Sequence, residues 1–131
     1  MISSRPALIL GLAGIPWWTT DIGGFHNGVA ADPDFKELLI RWFQFGTFCP
    51  VMRLHGSRQP YTPIYNKAGE LREGTGTDNE VWSYGEDNYE ILKEYLFLRE
   101  RLRPYIRELM QQAHEKGTPV IRPLFYRVPA G

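Results

Sequence analysis

The chain has 131 residues, the size of one ordinary domain, and its 15 basic and 15 acidic side chains leave no formal net charge. A neutral chain gives no electrostatic reason to expect a nucleic-acid partner or a membrane partner, so we predict neither. Apolar residues make up 43% of the chain, which excludes an intrinsically disordered protein. The single cysteine, Cys49, excludes an internal disulfide, and we interpret it as a small buried hydrophobe.

The chain begins with a nearly apolar run at residues 7–18, which is shorter than the ~20 residues that a membrane-spanning helix needs. Arg5 followed by this run has the look of a secretory signal, but no A-x-A-like cleavage site follows it. We therefore interpret the run as part of the fold, which favours a cytoplasmic location over secretion and leaves the compartment open. The short aromatic segment at residues 15–20, which overlaps the end of this run, predicts a buried strand that ends near Asp21.

A helix and a second strand are predicted after the first strand. A Gly-Gly pair after Asp21 and Ile22 predicts a turn that ends the strand. Asp32 and Pro33 then predict the start of a helix, because Asp caps a helix N-terminus and Pro fits the first turn. An apolar stripe carries this helix to about Gly46. Residues 48–54 predict a second strand that, like the first, runs into polar residues at its C-terminal end.

The second half of the chain is predicted to be a loop followed by helix. Residues 59–79 contain several Pro and Gly with little periodicity, so we expect a long surface loop. Residues 87–116 have a helical apolar pattern that stops at Gly117. Pro104 interrupts the pattern, which predicts either a kink or two helices that meet there. Residues 119–126 predict a last extended segment.

The order of strand, helix, strand and helix predicts an α/β fold, because parallel strands need helical crossovers of about this length. Two or three strands are too few for a closed parallel sheet. A parallel sheet is normally covered by helices on both faces, so the apolar strands of this short chain would lack packing partners. We therefore expect the chain to be a piece of something larger.

Side chains at the two predicted strand ends are candidates for a sugar site. Asp21 and Phe25 lie on either side of the Gly-Gly pair, and Trp18 precedes them. A carboxylate accepts hydrogen bonds from vicinal hydroxyls, and an aromatic ring packs on the C–H face of a pyranose. Arg53 and His55 alternate along the second strand, so both point to the same face. The structural alternatives are a turn or cap role for Asp21 and a buried acid as the partner of Arg53.

Other polar residues receive no role. His26 lies in a loop with no acid at metal-ligand spacing, and His114 is placed near a helix end, where its charge suits the dipole. No metal site is predicted. Asp78 and Glu80 invite interpretation as a catalytic pair, but such neighbours in a glycine-rich loop are expected to face solvent or to begin the next helix.

The motif W-x-x-D-I-G-G-F at residues 18–25 resembles a block of glycoside hydrolase family 31, the retaining α-glycosidases. The resemblance continues, in family order, at residues 41–46, 50–56, 98–105 and 122–125, which read RWFQFG, PVMRLHG, LRERLRPY and RPLF. It implies that the two strands are the last two of a (β/α)8 barrel. The expected fold class is therefore α/β, a partial (β/α)8 TIM barrel, with residues 1–131 as one partial domain at the C-terminal part of the catalytic barrel.

The resemblance also implies an activity, which is hydrolysis of terminal α-linked glucose or xylose without a cofactor or metal. Asp21, Phe25, Arg53 and His55 match positions that line the family's sugar pocket, and Trp18 belongs to the same block. The R-L-H-G sequence is like the form in some α-xylosidases, but glucosidase and xylosidase both stay open.

The family's two catalytic aspartates belong to strands before this block, and its nucleophile motif, W-x-D followed by Asn or Gly and then Glu, has no match in the sequence. The resemblance therefore implies that this chain holds no catalytic residue, that it needs the remainder of the barrel, and that it is inactive alone. The alternative is a non-catalytic module that binds a carbohydrate or a protein partner.

Overall fold

The computed structural model describes residues 5–124. Within this range none of the helices is of a length and apolar character that would let it cross a membrane. The helices and strands are, in chain order, α1 (Arg5–Leu12), β1 (Asp21–Ile22), α2 (Pro33–Thr47), β2 (Arg53–Leu54), β3 (Arg58–Tyr65), β4 (Leu71–Thr77), α3 (Glu86–Arg101) and α4 (Arg103–Lys116), with a 3-10 helix (Val81–Tyr84) before α3.

Strands β1 and β2 form a parallel pair that is joined by helix α2. Asp21 lies opposite Arg53, and Ile22 lies opposite Leu54. The predicted helix-connected parallel strands are therefore confirmed, although the described residues form no closed barrel. The predicted strand at residues 15–20 is wrong and that at residues 48–54 is too long, because a strand needs a hydrogen-bonded neighbour as well as the right residues.

Helix α2 begins as its sequence predicts. The Asp32 side chain accepts a hydrogen bond of 3.1 Å from the backbone N–H of Asp34, and Pro33 occupies the first turn. The helix ends at Thr47, one residue beyond the expected Gly46. Its buried face forms the main core together with β1, the 3-10 helix and α3; the fully enclosed members are Ile22, Phe35, Leu39, Ile40, Phe43, Tyr84 and Leu92.

The turn between α2 and β2 is held by Arg99 of α3. Its guanidinium donates to the carbonyl oxygens of Thr47 at 2.8 Å, Cys49 at 2.5 Å and Pro50 at 2.9 Å. Cys49 is only 2% exposed, and burial raises the pKa of its thiol to about 11. The interpretation of Cys49 as a buried hydrophobe is confirmed.

The predicted break at Pro104 produces two helices. Helix α3 ends at Arg101 and α4 starts at Arg103, because Pro lacks the N–H that a continuous helix needs but is accepted in a first turn. Gly117 ends α4 with a left-handed conformation, φ 66°. Residues 119–124 form no strand, and residues 125 and 126 of the predicted extended segment lie outside the described residues.

The predicted loop at residues 59–79 is wrong. Strands β3 and β4 form an antiparallel hairpin, with Arg58 opposite Thr77 and Tyr65 opposite Leu71. The hairpin is held by cross-strand hydrogen bonds and a turn in which the Asn66 side chain accepts from two backbone amides. Its strands bury little apolar surface, so the alternation of apolar and polar residues that reveals a half-buried strand is absent from this segment.

Candidate functional site

Two of the candidate residues, Asp21 and Arg53, form an ion pair across the two-residue parallel strands, and each is the first residue of its strand. They face each other in the β1–β2 register, and the guanidinium Nη2 contacts carboxylate Oδ1. The Asp21 side chain is 14% exposed and that of Arg53 is 51% exposed. Oδ1 is buried and has this ionic contact but no hydrogen bond of normal geometry. The structural alternative for Arg53 was an ion pair with a buried acid. Asp21, which is 14% exposed and is itself a candidate site residue, is that partner.

Phe25 and His55 come together beside this pair. Their ring centroids are 5.4 Å apart with planes tilted by 38°. Phe25 is 54% exposed, so one face of its ring is open to a ligand. Trp18 lies three residues before β1, and its indole N–H is buried with no hydrogen-bond acceptor among the described residues. A buried N–H group without an acceptor lowers the stability of the folded chain.

Gly56 permits the close approach of the two segments that follow β1 and β2. Its φ is 111°, and a Cβ atom there would lie 2.3 Å from the carbonyl oxygen of Gly24 and 2.6 Å from that of Phe25. The amide of the next residue, Ser57, donates to the Phe25 oxygen at 3.0 Å. We call these two segments, residues 22–27 and 55–58, the site floor.

Arg58 is the central residue of the site floor and is fully buried. Its guanidinium donates to backbone carbonyl oxygens at distances from 2.9 to 3.4 Å; these belong to Ile22, Gly24, Asn27, His55 and Ser57. Its Nε donates to the Tyr84 hydroxyl at 3.1 Å, and the ring of Phe35 lies 5.3 Å away beneath the charge. No carboxylate among the described residues forms an ion pair with it. Arg58 therefore ties both halves of the floor together through their backbones.

Asn79 and Tyr84 extend this network. Asn79 donates from its side-chain amide to the Gly56 oxygen at 2.8 Å, and its Oδ1 accepts from the Tyr84 hydroxyl. Burial raises the pKa of Tyr84, so the hydroxyl keeps its proton as a donor. The neighbouring Asp78 is exposed, and Glu80 caps the 3-10 helix by accepting from Ser83, which confirms the structural interpretation of these two acids.

An open cleft of about 470 Å³ lies next to the floor, and it is lined by His26, Asn27, Ser57, Tyr61 and Gly74. From the sequence, His26 receives no role and Tyr61 is expected in a loop. The one local signal was the proximity of His26 to Phe25 in sequence. The partnership with Tyr61 depends on the hairpin, which the sequence pattern does not reveal.

Metal ligands are not grouped in this region. Among residues 5–124, no set of three or more His, Cys, Asp or Glu side chains is arranged to hold an ion. The side chains that are brought together at the parallel strands are one carboxylate, one guanidinium and two rings, which form hydrogen bonds and stacking contacts.

Parallel strands joined by a helix are the repeating unit of α/β barrels, which bind their ligands in the loops that follow the strands, as residues 23–27 and 55–58 follow β1 and β2 here. The model of the glycosyl hydrolases family 31 TIM-barrel domain matches residues 2–109, and the chain belongs to this family.

Relatives of known name agree with this assignment. Alpha-xylosidase A of Aspergillus niger is 36% identical over 116 residues, which cover 83% of this chain and 14% of that protein. Alpha-glucosidase 2 of Bacillus thermoamyloliquefaciens is 36% identical over 120 residues, covering 92% of this chain and 13% of that protein. The crystal structure of a GH31 alpha-xylosidase from a soil metagenome, complexed with xylose, superposes with a TM-score of 0.88 at 58% identity, covering 95% of this chain and 19% of that one. The chain thus spans less than a fifth of each relative.

Proposed function

We propose that this chain is the sugar-binding part of a catalytic barrel that hydrolyses terminal α-linked xylose or glucose from glycosides. The observation that carries the proposal is the Asp21–Arg53 ion pair across two adjacent parallel strands, with the contacting rings of Phe25 and His55 in the segments that follow these strands. The names of the relatives, which are α-xylosidases and α-glucosidases, support the substrate class.

Each of these side chains has a distinct part in holding a pyranose. The Asp21 carboxylate accepts from neighbouring sugar hydroxyls, and Arg53 donates to a hydroxyl oxygen while its ion pair holds the Asp21 side chain in place. The two ring nitrogens of His55 form hydrogen bonds with sugar hydroxyls. The exposed Phe25 ring packs on sugar C–H groups.

The chemical step requires groups that we place elsewhere in the barrel. Retaining hydrolysis uses two carboxyl groups ~5 Å apart, one as nucleophile and one as acid and base. The ion pair of Asp21 with Arg53 suits a binding carboxylate rather than a nucleophile or acid, and Asp78 and Glu80 are exposed residues at the start of the 3-10 helix. We therefore propose that the 131-residue chain binds sugar but does not cleave a glycoside without the remainder of the barrel.

Xylose is the first sugar to test, because the relative that is 58% identical was crystallised with xylose and carries the name alpha-xylosidase. We expect titration of the ¹⁵N-labelled chain with xylose or glucose to shift the amide resonances of residues 21–25 and 53–56. Asp21→Asn removes the charged acceptor, and we expect it to weaken binding about tenfold, equivalent to ~1.4 kcal/mol. The exposed Asp78→Asn is the matched control and should leave affinity unchanged.

Two results would contradict the proposal. If saturating xylose and glucose shift no resonances of the folded chain, the sugar-binding role is wrong. If the purified chain turns over an aryl α-xyloside or an aryl α-glucoside, the catalytic acids are within these 131 residues and their placement elsewhere is wrong.

A further inference from the structure

The turn after β1 contains an Asn-Gly pair, Asn27 and Gly28, in which both residues have positive φ, 68° and 82°. Within residues 5–124, Asn27 is the one residue other than glycine in this region of backbone space. An Asn-Gly pair has a chemistry of its own, because the backbone nitrogen after an Asn can attack the amide carbon of that side chain. A glycine in the second position has no Cβ and leaves this nitrogen uncrowded.

The two groups that would react are both free of hydrogen-bond acceptors. The Asn27 side chain is exposed in the open cleft, and its NH₂ group donates to no acceptor among the described residues. The backbone N–H of Gly28 likewise donates to no acceptor within residues 5–124. The attacking nitrogen and the leaving amide therefore have no hydrogen bonds to lose to the rest of the fold.

The other three asparagines of the chain hold their side chains in hydrogen bonds. Asn66 accepts from two backbone amides and donates to the Glu70 carboxylate at 2.7 Å. Asn79 and Asn88 donate to backbone carbonyl oxygens at 2.8 and 2.9 Å. The residues that follow these three are Lys, Glu and Tyr rather than Gly. Asn27 thus differs from them both in its neighbour and in the freedom of its amide.

Gln59, the second residue of β3, places a donor where the attack needs one. Its Nε2 donates to Asn27 Oδ1 at 3.2 Å. This oxygen gains negative charge when a nitrogen adds to the amide carbon, and a donor already aimed at it stabilises that charge. The Gln59 backbone N–H also donates to the Gly28 oxygen at 2.9 Å, so the hairpin holds the donor against the turn.

We infer that Asn27 is a site of spontaneous deamidation, which converts it to aspartate and isoaspartate. The Gly28 nitrogen bonds to Cγ of Asn27, the Cγ–Nδ2 bond breaks, and the Gly28 amide proton leaves with the NH₂ group as ammonia. Water then adds across one of the two C–N bonds of the cyclic imide, which returns a proton to the nitrogen and leaves a carboxylate. Opening at Cγ gives aspartate, and opening at the backbone carbonyl carbon gives isoaspartate.

The reaction changes the site floor in two ways, neither of which depends on the proposed sugar binding. It puts a carboxylate into a cleft where none of the described lining residues is an acid. In isoaspartate the backbone runs through the side chain, which lengthens it by one carbon atom. That carbon enters between the Asn27 oxygen, which accepts from Arg58 at 3.2 Å, and the Gly28 oxygen, which accepts from Gln59. We expect shifted amide resonances at Arg58 and Gln59 in the modified chain.

Incubation of the purified 131-residue chain in mildly alkaline buffer, followed by tryptic peptide mapping, tests the inference. Each event raises the mass of a peptide by about one dalton and gives two products that chromatography separates. We expect Asn27 to react at least about tenfold faster than Asn66, Asn79 and Asn88, because its nitrogen neighbour is uncrowded and its oxygen has a donor. Equal rates at the four asparagines, or no reaction at Asn27, would overturn the inference.

Three variants make the test specific. Asn27→Gly keeps a residue that accepts positive φ but removes the amide, so its peptide should gain no mass. Gln59→Met keeps the side-chain length and removes the donor, and we expect deamidation of Asn27 to slow about fivefold. Gln111→Met, on an exposed part of α4, is the matched control and should leave the rate unchanged. A rate in Gln59→Met that equals or exceeds that of the native chain would overturn the assistance by Gln59.

Discussion

The site floor and the hairpin meet at Arg58 and are built in opposite ways. The floor holds a fully buried guanidinium and five backbone carbonyl oxygens around it. The strand that continues from Arg58 to Tyr65 becomes exposed within two residues. Backbone groups fixed by a buried donor cannot shift without losing several hydrogen bonds, whereas an exposed hairpin can change side chains at little cost. The floor therefore sets the geometry of the strand ends, and the hairpin is free to vary what lies next to them.

The largest expected effect comes from removing the buried charge. Arg58→Met keeps most of the apolar volume but leaves buried carbonyl oxygens without donors, and we expect a loss of about 3 kcal/mol or more in the free energy of unfolding. Urea denaturation measures it. Arg72→Met, in the exposed part of the hairpin, is the matched control and should cost less than about 0.5 kcal/mol. Equal losses in the two variants would remove the distinction between floor and hairpin.

A smaller effect is expected from a methyl group at a glycine. Gly56→Ala places Cβ against the backbone oxygens of Gly24 and Phe25, and we expect a loss of about 2–3 kcal/mol together with weaker sugar binding. Gly69, in the hairpin turn, also has positive φ but has no atom near its Cβ position, so Gly69→Ala should cost only about 1 kcal/mol. Thermal melts and a xylose titration of both variants test whether crowding, rather than the backbone angle, distinguishes the two regions.

The most subtle expected effect concerns Cys49, just before β2. Its thiol has a pKa of about 11, above the ordinary value of 9.0, so the folded chain holds the proton that the unfolded chain releases. This contribution to stability is fully present below pH 9 and is lost as the pH rises through 11. We expect slow alkylation by iodoacetamide at pH 8 in the native chain and faster alkylation in Arg58→Met, followed by mass spectrometry. Rapid alkylation of the native chain would show that the region entering β2 is open.

Much of the fold could be predicted because its signals are local. Asp32 with Pro33 specifies a helix start through groups within one turn, and Pro104 breaks a helix through its own missing N–H. The presence of Asp21 and Arg53 on adjoining parallel strands was also expected, but the structure begins β1 at Asp21, where the sequence predicted that a strand ends. Their side-chain contact, however, depends on a register that pairs residues 32 positions apart.

The hairpin and the cleft could not be predicted in this way. Tyr61 and His26 are ordinary surface residues by their neighbours in sequence, and they line one cleft only because β3 folds back beside the turn after β1. The Pro and Gly content of residues 59–79 favoured a loop, but cross-strand hydrogen bonds outweighed that local preference.

The sequence by itself determined the boundaries of α2, the break between α3 and α4, the helix-connected parallel strands, the family resemblance and four of the polar and aromatic side chains near those strands, but not helix α1. Only the tertiary structure decided that Arg58 is buried among carbonyl oxygens, that Asp21 pairs with Arg53, and that a second cleft adjoins Phe25. The physical reason is the sequence separation over which each kind of interaction acts. Caps, breaks and periodicity act between residues a few positions apart, whereas burial and hydrogen bonding of a side chain depend on which distant segments the fold brings against it.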